Sequence, residues 1–260
     1  NPESVEEYVG NVYWWDLLNG AIVRYTNEGL VALSDIKYAD FFADLSKDIL
    51  SKNLNQYPLT TSVFDPYYSE FIITFGEYDE NEPTTVIYSE WESRWTSHSS
   101  INCDLMEFVG MRSVAFKDGQ LWTQHTNQKR NNFFGVQYFS QVKPIINDNP
   151  SNVKVFRAIS VESNEAWECP EITIPPNFRY KQGFKTRIKQ GRFVNKEGVF
   201  YSEIPKDMLS PGFPTQLEAL INGRDMRGKV LNILFQNNSE KEVVFFTFGV
   251  RSSFSELSNK

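Results

Sequence analysis

The sequence is poor in the residues that build disulfide scaffolds and metal sites. Of its 260 residues only two are cysteines, Cys103 and Cys169, and only two are histidines, His98 and His125. Two cysteines 66 positions apart are too few to stabilise a fold through disulfide bonds, so we interpret them as ordinary reduced thiols. The histidines lie in polar, loop-like contexts and lack the spacing of a zinc site, so the sequence predicts neither a metal nor a cofactor.

Long apolar runs are also missing. No stretch of about 18 apolar residues occurs, which predicts that no helix spans a membrane. The first residue is Asn1 rather than Met, and residues 1–7 lack the order of a secretion signal, a basic region followed by an apolar one. We therefore expect a trimmed product, a processed chain or an excised piece of a longer parent protein.

Aromatic residues, in contrast, are abundant. They make up 15% of the chain, with 21 Phe, 12 Tyr and 6 Trp, and this much ring surface favours extensive β-sheet or a large interface. Two segments, 13–25 and 64–75, each place a polar turn between two runs of strand-forming residues. Asn19-Gly20, Asp65-Pro66 and, later, Asp118-Gly119 supply the turn chemistry. Hairpins of this kind, spaced at roughly 50 residues, are typical of β-propeller blades.

One segment has helical periodicity. Apolar side chains recur about every 3.6 residues between positions 35 and 52, which predicts an amphipathic helix with Ser34 and Asp35 as its cap. We expect the apolar stripe to pack in the core and to close a gap between blades or plug one end of a propeller. The stripe consists of Tyr38, Phe41, Phe42, Leu45 and Ile49.

The composition changes beyond residue 146. Segment 147–152 is polar and loop-like, and among the later strands 243–248 is apolar on both faces, which predicts a central position in its sheet. The sequence therefore predicts an all-β fold with one helix, in which residues 1–146 form partial β-propeller blades and residues 147–260 form a β-sandwich-like domain. Two or three blades do not close a ring, so other polypeptide must complete it.

Charge is distributed unevenly along the chain. The net charge is −7 overall, but it is −12 over residues 1–100 and +5 over residues 101–260. Segment 177–198 is strongly basic and reads as a hairpin with Gly183 and Gly191 at or near bends. Aromatic residues interleave with its positive charges at Phe178, Tyr180, Phe184 and Phe193.

This basic hairpin is the candidate interaction site. Its members are Arg179, Lys181, Lys185, Arg187, Lys189 and Arg192, with Lys196 beyond them. Alternation along a strand puts Lys185, Arg187 and Lys189 on one face. Such a surface fits a phosphate backbone or an acidic protein face, but Lys and Arg also serve simply to keep an exposed sheet edge from pairing. The pattern does not support recognition of specific bases.

Catalytic motifs are missing from the sequence. It has no Gly-x-Ser-x-Gly elbow, no Gly-rich phosphate loop with Lys and no Cys–His pairing. A group of carboxylates could supply the pair that glycoside hydrolysis requires. Most of them, however, lie in a predicted hairpin tip, where charged residues are common because the tip is exposed to solvent. The group comprises Glu77, Asp79, Glu80, Glu82, Glu90 and Glu92. We therefore predict that the chain is not an enzyme.

A carbohydrate-binding or glycan-cleaving propeller that recognises a host surface is the competing hypothesis. This hypothesis depends on four tryptophans, which must be exposed to bind a glycan. They are Trp14, Trp15, Trp91 and Trp95. Residues 84–95 read as a single strand, with Trp91 and Trp95 on the same face.

Several short motifs follow one another in a characteristic order. They are Val12–Asp16, Asn19–Arg24, Gly29-Leu30, Ile36–Phe42, Phe64–Phe71, Ile145–Pro150, Lys154–Phe156 and Asn222–Lys229. In this order they resemble the tail muzzle, or tail stabilisation, proteins of crAss-like short-tailed phages. The resemblance covers most of the chain, and the order of the motifs is more specific than any one of them.

The resemblance implies a component of the distal virion tail, analogous to tubular nozzle proteins. Several copies of such proteins form a tube that closes the tail, retains DNA and conducts it during ejection. Because family members are much longer, this chain would be the carboxyl-terminal portion. Its partners would be other copies, the missing amino-terminal portion, neighbouring tail proteins and, non-specifically, packaged DNA. The resemblance implies synthesis in the bacterial cytoplasm and carries over no catalytic residues.

Overall fold

β-Strands provide most of the regular structure in the computed structural model, which describes residues 2–52, 59–77, 82–178 and 180–255. This confirms the predicted all-β class. The chain divides into two compact units. The first unit extends up to Gln128 and includes Asn132–Val136, and the second comprises Lys129–Asn131 and the chain from Gln137 onward.

The first unit contains two four-stranded antiparallel sheets in which the order of the strands follows the sequence. The first sheet comprises β1 (Glu6–Tyr8), β2 (Asn11–Asp16), β3 (Ala21–Thr26) and β4 (Gly29–Ala32). The second comprises β5 (Thr60–Asp65), β6 (Glu70–Phe75), β7 (Thr84–Ser89) and β8 (Arg94–Ser99). A three-stranded sheet follows, with β9 (Leu105–Val109), β10 (Arg112–Lys117) and β11 (Gln120–Thr123). Two short strands, β12 (Asn132–Phe133) and β13 (Val136–Gln137), come next.

The turns of the first unit have the predicted chemistry. Gly20 has a φ of +62°, and Asp118 and Gly119 have φ values of +52° and +73°, as hairpin turns require. The Oδ1 atom of Asp65 accepts a hydrogen bond of 2.9 Å from the backbone N–H of Tyr67. Local sequence therefore determines where these strands reverse direction.

Strands β5, β6 and β7 of the second sheet are buried on both faces, whereas β8 is mostly exposed. Phe71, Ile73 and Phe75 of β6 pack on one side in a cluster with the first sheet, while Ile72 faces a cluster with the three-stranded sheet. Because successive residues of a strand point to opposite faces, this double packing explains why β6 is apolar almost throughout.

The predicted helix exists but is shorter than expected. It spans Ala39–Ser51 (α1), and no side chain caps its start at Tyr38. Ser34 and Asp35 do not cap it, because Leu33–Asp35 form a separate 3₁₀ turn. The apolar stripe does face the core. Phe42 and Ile49 are buried, and Tyr38, Phe41 and Leu45 pack against the cluster of the first two sheets.

The second unit is built from strands that are distant in sequence. One sheet contains β14 (Ser140–Val142), β15 (Ile145–Ile146), β17 (Glu168–Ile174), β18 (Phe184–Ile188) and β22 (Leu231–Asn237). The other contains β16 (Lys154–Ser163), β19 (Val194–Lys196), β20 (Val199–Glu203), β21 (Arg227–Gly228) and β23 (Phe245–Phe254). Side chains from both sheets share one core, which includes the buried Leu231, Ile233 and Phe235 of β22. A second helix, α2 (Gln216–Asn222), was not predicted.

Three predicted strands or hairpins are corrected by the structure. Residues 84–95 are not one strand, because a turn at Glu90–Ser93 separates β7 from β8. β23 is not central, since among the described strands it pairs with β16 alone. The predicted basic hairpin at 177–198 is not a single hairpin either. β18 pairs with β17, whereas β19 pairs with β20 in the other sheet.

The finer architecture stays a prediction. The sheets of the first unit are not shown to be propeller blades, and the second unit is not shown to be a β-sandwich. The predicted domain boundary between residues 146 and 147 also stays a prediction, because a compact unit does not have to be a domain that folds independently.

Candidate functional site

The outer face of β18 carries two positive side chains, and a third follows the strand directly. Phe184, Thr186 and Ile188 point into the core and are buried, whereas the intervening Lys185 and Arg187 point outward. Lys189 follows directly after the strand and is exposed. This alternation follows from strand geometry, since only every second side chain can reach the core.

Lys185 differs from the other cations of this face because it has an acidic partner. Its Nζ atom lies 3.0 Å from the Oε2 atom of Glu171 on the paired strand β17. Arg187 and Lys189 make no ion pair with an acidic side chain in the part of the chain that the structure describes. Exposed ion pairs contribute little to stability, but they do offset charge. Arg187 and Lys189 therefore supply more of the free positive charge than Lys185 does.

A second group of cations lines a cavity of about 650 Å³. Arg192 ends a 3₁₀ turn after β18, and Lys196 lies on β19. Lys206 also lines this cavity, but it is paired with Asp225, and this hydrogen bond, opposed by burial, lowers the pKa of the Asp225 carboxyl. Glu203 is the one acidic residue among those that line the cavity. The balance of charge around it is positive.

The remaining predicted members of the site are less informative. Arg179 lies outside the described residues. Lys181 is exposed in the turn that precedes β18. We use the name basic segment for 181–196, which holds the described members.

The aromatic residues of the basic segment do not form a stacking platform. Phe184 and Phe193 are buried in the core of the second unit, and Tyr180 packs against it. Of the four interleaved rings only Phe178 is fully exposed. Binding of single strands through stacked bases needs accessible rings, so any contact with nucleic acid here would be made by charge.

A buried ion pair that the sequence did not reveal supports the start of β18. Asp207 is fully buried, and its Oδ2 atom accepts a hydrogen bond of 2.6 Å from Nη2 of Arg224. The Oδ1 atom accepts from the backbone N–H of Lys185 at 3.0 Å. The guanidinium of Arg224 also lies over the rings of Tyr180 and Phe184. Arg224 lies in the Asn222–Lys229 motif, but the sequence offers no signal that pairs it with Asp207.

The tryptophans of the competing hypothesis are mostly inaccessible. Trp15 and Trp95 are buried, and Nε1 of Trp95 donates a hydrogen bond of 3.0 Å to the carbonyl of Leu33. Trp14 is half-buried, and only Trp91 is exposed. The expectation of four exposed tryptophans was therefore wrong, because the aromatic content serves the core.

Of the six carboxylates considered for hydrolysis, two form ion pairs, two lie outside the described residues, and Glu77 and Glu82 are exposed. Glu90 pairs with Arg24 at 2.5 Å and accepts a hydrogen bond of 2.8 Å from the hydroxyl of Tyr13. Glu92 pairs with Arg94. Asp79 and Glu80 lie outside the described residues. None of the described ones is placed as a facing pair by these contacts.

The cysteines and histidines have ordinary structural roles. Cys103 and Cys169 are free and buried, and burial raises the pKa of the Cys103 thiol to about 12 and that of Cys169 still further. His98 lies on β8 rather than in a loop, and burial lowers its pKa. His125 bonds to Asp65 at 2.5 Å. The described residues contain no group of three or more Cys, His, Asp or Glu placed to hold a metal ion, and none of the described helices has the length and apolar character needed to cross a membrane.

The fold and the surface define a β-sheet protein with a positively charged surface segment. The family described as Crassvirus muzzle protein matches residues 9–119, and the Crassvirus muzzle protein C-terminal domain matches residues 128–207. The chain belongs to the crassvirus muzzle protein family, which confirms the resemblance seen in its motifs. Membership indicates a structural role in a phage virion tail rather than a catalytic one.

Other comparisons add little. No curated protein sequence matches the chain. Among solved structures, sucrose-6-phosphate hydrolase from Lactobacillus gasseri is 10% identical, with a TM-score of 0.21, and the match covers 96% of this chain and 64% of that one. Because this TM-score is very low, the match carries no argument about fold or activity.

Proposed function

We propose that the chain forms part of the tail tube of a crassvirus, where it helps to close the tail, retain packaged DNA and conduct the DNA during ejection. In this proposal the chain is made in the bacterial cytoplasm and assembles with other copies and with neighbouring tail proteins. Membership of the muzzle family supports the structural role. The basic segment supports contact with DNA.

The observation that carries the DNA contact is a run of exposed cations without acidic partners. Arg187, Lys189, Arg192 and Lys196 are all exposed, and none of them forms an ion pair with an acidic side chain among the described residues. Each one can neutralise a phosphate and release counterions, whatever the base sequence. Contact through charge alone suits a tube through which DNA must slide, because phosphate contacts carry no sequence information and allow a protein to slide along DNA.

The architecture of the first unit supports the tube. The second four-stranded meander packs against the first on one face and against the three-stranded sheet on the other, as successive propeller blades do. We propose that they are blades of a ring that other polypeptide completes and that α1 closes a gap between blades or plugs one end of the ring. We also propose that the second unit is a β-sandwich-like domain beginning at 147.

Duplex DNA binding tests the proposal. The triple variant Arg187→Glu, Lys189→Glu and Arg192→Glu is compared with the unaltered chain by fluorescence anisotropy on a labelled duplex. Between about 50 mM and about 200 mM salt, each lost phosphate contact should reduce the slope of log K against log salt by about 0.9. We expect the variant to lose a slope of about 2 to 3 and most of its affinity at the lower salt concentration.

A matched triple variant controls for net charge. Lys143→Glu, Lys241→Glu and Arg251→Glu reverse three exposed cations of the same unit outside the basic segment. They should leave the slope almost unchanged. An equal loss in both triple variants would contradict a site at the basic segment. If the unaltered chain does not bind duplex DNA and the first triple variant instead abolishes association between copies, the segment contacts an acidic neighbouring subunit.

A further inference from the structure

One end of the second sheet carries an exposed tryptophan between two glutamates. Trp91 is 88% exposed and lies in the turn Glu90–Ser93 between β7 and β8. The backbone N–H of Glu90 donates a hydrogen bond of 2.9 Å to the carbonyl of Ser69, which brings the turn between β5 and β6 alongside. Tyr67 of that turn is also largely exposed. We call the two turns together the aromatic tip.

The aromatic tip has a negative character. Glu92 is next to Trp91, and it lies close enough to Glu70 for its charge to add to burial in raising the pKa of the Glu70 carboxyl. Part of this charge is offset within the chain, because Arg94 pairs with Glu92 and Arg24 pairs with Glu90. The tip also belongs to the stretch of residues 1–100, whose net charge is −12. A partner surface for the tip would therefore combine an apolar depression with positive charge.

The second unit contains a surface of this kind. A cavity of about 410 Å³ has mostly apolar walls, and two cations, Arg227 and Lys229, are among its lining residues. The apolar walls come from Val153, Ile174, Pro175, Pro176, Phe178 and Val230. Lys229 is exposed and has no acidic partner among the described residues. We call this cavity the proline cavity.

The wall of the proline cavity also holds an unsatisfied polar group. Ser255 lines the cavity, and its Oγ atom is buried without a hydrogen-bond partner in the described part of the chain. A buried hydroxyl left in this way costs free energy and is usually satisfied by water or by a ligand. The N–H of an indole can only donate, so it matches an oxygen that lacks a donor.

We propose that the proline cavity of one copy of the chain receives Trp91 of a second copy. The size and apolar walls of the cavity suit an indole ring, and Arg227 and Lys229 suit both its π face and the neighbouring Glu92. Trp91 does not fill a cavity of its own chain, because its side chain is exposed there. Each copy carries one aromatic tip and one proline cavity, so the contact can repeat from copy to copy. The inference goes beyond the proposed function, because it uses a surface other than the basic segment and requires no DNA.

Self-association of the intact chain tests the contact. Sedimentation velocity over a range of concentrations gives the association constant, and tryptophan emission reports whether an exposed indole becomes buried as copies associate. Trp91→Ala should weaken association by at least about tenfold and remove the concentration-dependent blue shift. Met111→Ala, which truncates an equally exposed side chain of the first unit, should change neither. Circular dichroism confirms that both variants keep the fold.

A charge exchange provides the second test. Lys229→Glu and Glu92→Lys should each weaken association by about tenfold, because each places like charges at the contact. A chain with both substitutions should recover association to within about threefold of the unaltered protein, since the pair is restored with reversed sign. Unaltered association in Trp91→Ala would overturn the proposal. So would a monomeric intact chain at submillimolar concentration, or a double variant no better than the single ones. None of these outcomes depends on DNA binding, so they leave the proposed function to its own test.

Discussion

The two units reach their β-structure by opposite routes. In the first unit every strand of the two four-stranded sheets pairs with its neighbour in sequence. In the second unit β16 pairs with β23, some 90 residues away, and β22 pairs with β14, β15 and β17. Local turns therefore define the first unit, whereas the second depends on distant strands finding each other through a shared apolar core. Long-range pairing of this kind is expected to form more slowly.

The difference in topology does not imply a difference in the quality of packing. Phe71 of the first unit and Phe235 of the second are both completely buried, each in a cluster that joins strands of two sheets. If the units unfold independently, a defect in the core of one unit should lower the free energy of unfolding of that unit alone. The largest predicted effect tests this.

Truncation of a core phenylalanine should destabilise its own unit by about 3 to 5 kcal/mol. We expect Phe71→Ala to lower the free energy of opening of the first unit and Phe235→Ala that of the second. Hydrogen exchange followed by mass spectrometry in increasing urea resolves the two units. Phe246→Ala, on the exposed side of β23, is the control and should cost less than about 1 kcal/mol. Equal loss of protection in both units from either core variant would show that they unfold as one body.

A smaller effect concerns two glycines of the basic segment that look alike in sequence. Gly183 has a φ of +67°, and a Cβ atom there would collide with the carbonyl of Ile174. Gly191 has ordinary dihedral angles and open space around it. Gly183→Ala should therefore destabilise the second unit by about 1 to 3 kcal/mol, because both the backbone conformation and the close approach are lost.

Gly191→Ala is the matched control for Gly183→Ala. It should change the stability of the second unit by less than about 1 kcal/mol, and any gain would come from a less flexible unfolded chain. Urea unfolding of both variants by circular dichroism measures the difference. Similar losses in both variants would mean that the loop before β18 relaxes more easily than its contacts indicate.

The comparison also explains how much of the structure the sequence could predict. Hairpin turns at Gly20 and at Asp118-Gly119 and the stripe of α1 were predictable, because each depends on a few adjacent residues. The break at Glu90–Ser93 was missed, because the alternation that puts Trp91 and Trp95 on one face and Glu90 and Glu92 on the other continues through it. The edge position of β23 was missed because apolar composition reports burial and not which strands pair. Short elements such as β1 and α2 had too few residues to give a periodic signal.

In the candidate site, too, features that depend on adjacent residues were predictable and contacts between distant residues were not. Strand alternation correctly predicted that Lys185 and Arg187 share the outer face of β18. The partner of Lys185, Glu171, is 14 positions away on another strand, and the pairing of Asp207 with Arg224 spans 17 positions. Such contacts depend on the register of strands that the sequence did not reveal, so the free charges could not be separated from the paired ones.

The smallest predicted effect distinguishes the units by their response to pH. Glu6 of β1 is half-buried, and burial raises the pKa of its carboxyl to about 7, with the charge of Glu107 adding to this and a hydrogen bond from the backbone of Phe64 opposing it. Between its ordinary value of 4.5 and about 7 the folded chain binds a proton that the unfolded chain has released. The free energy of unfolding of the first unit should therefore fall as pH rises through this window.

The contribution of Glu6 is obtained by comparing Glu6→Gln with the unaltered chain at each pH, because other titrating groups of the unit then cancel. From about pH 5 to about pH 8 the unaltered first unit should lose about 1 kcal/mol relative to Glu6→Gln, after allowance for solvent screening. Glu7→Gln is the matched control, because it removes a carboxyl at the exposed neighbouring position of the same strand. The second unit should respond to neither substitution. A pH profile of Glu6→Gln parallel to that of the unaltered chain would show that Glu6 stays ionised in the folded first unit.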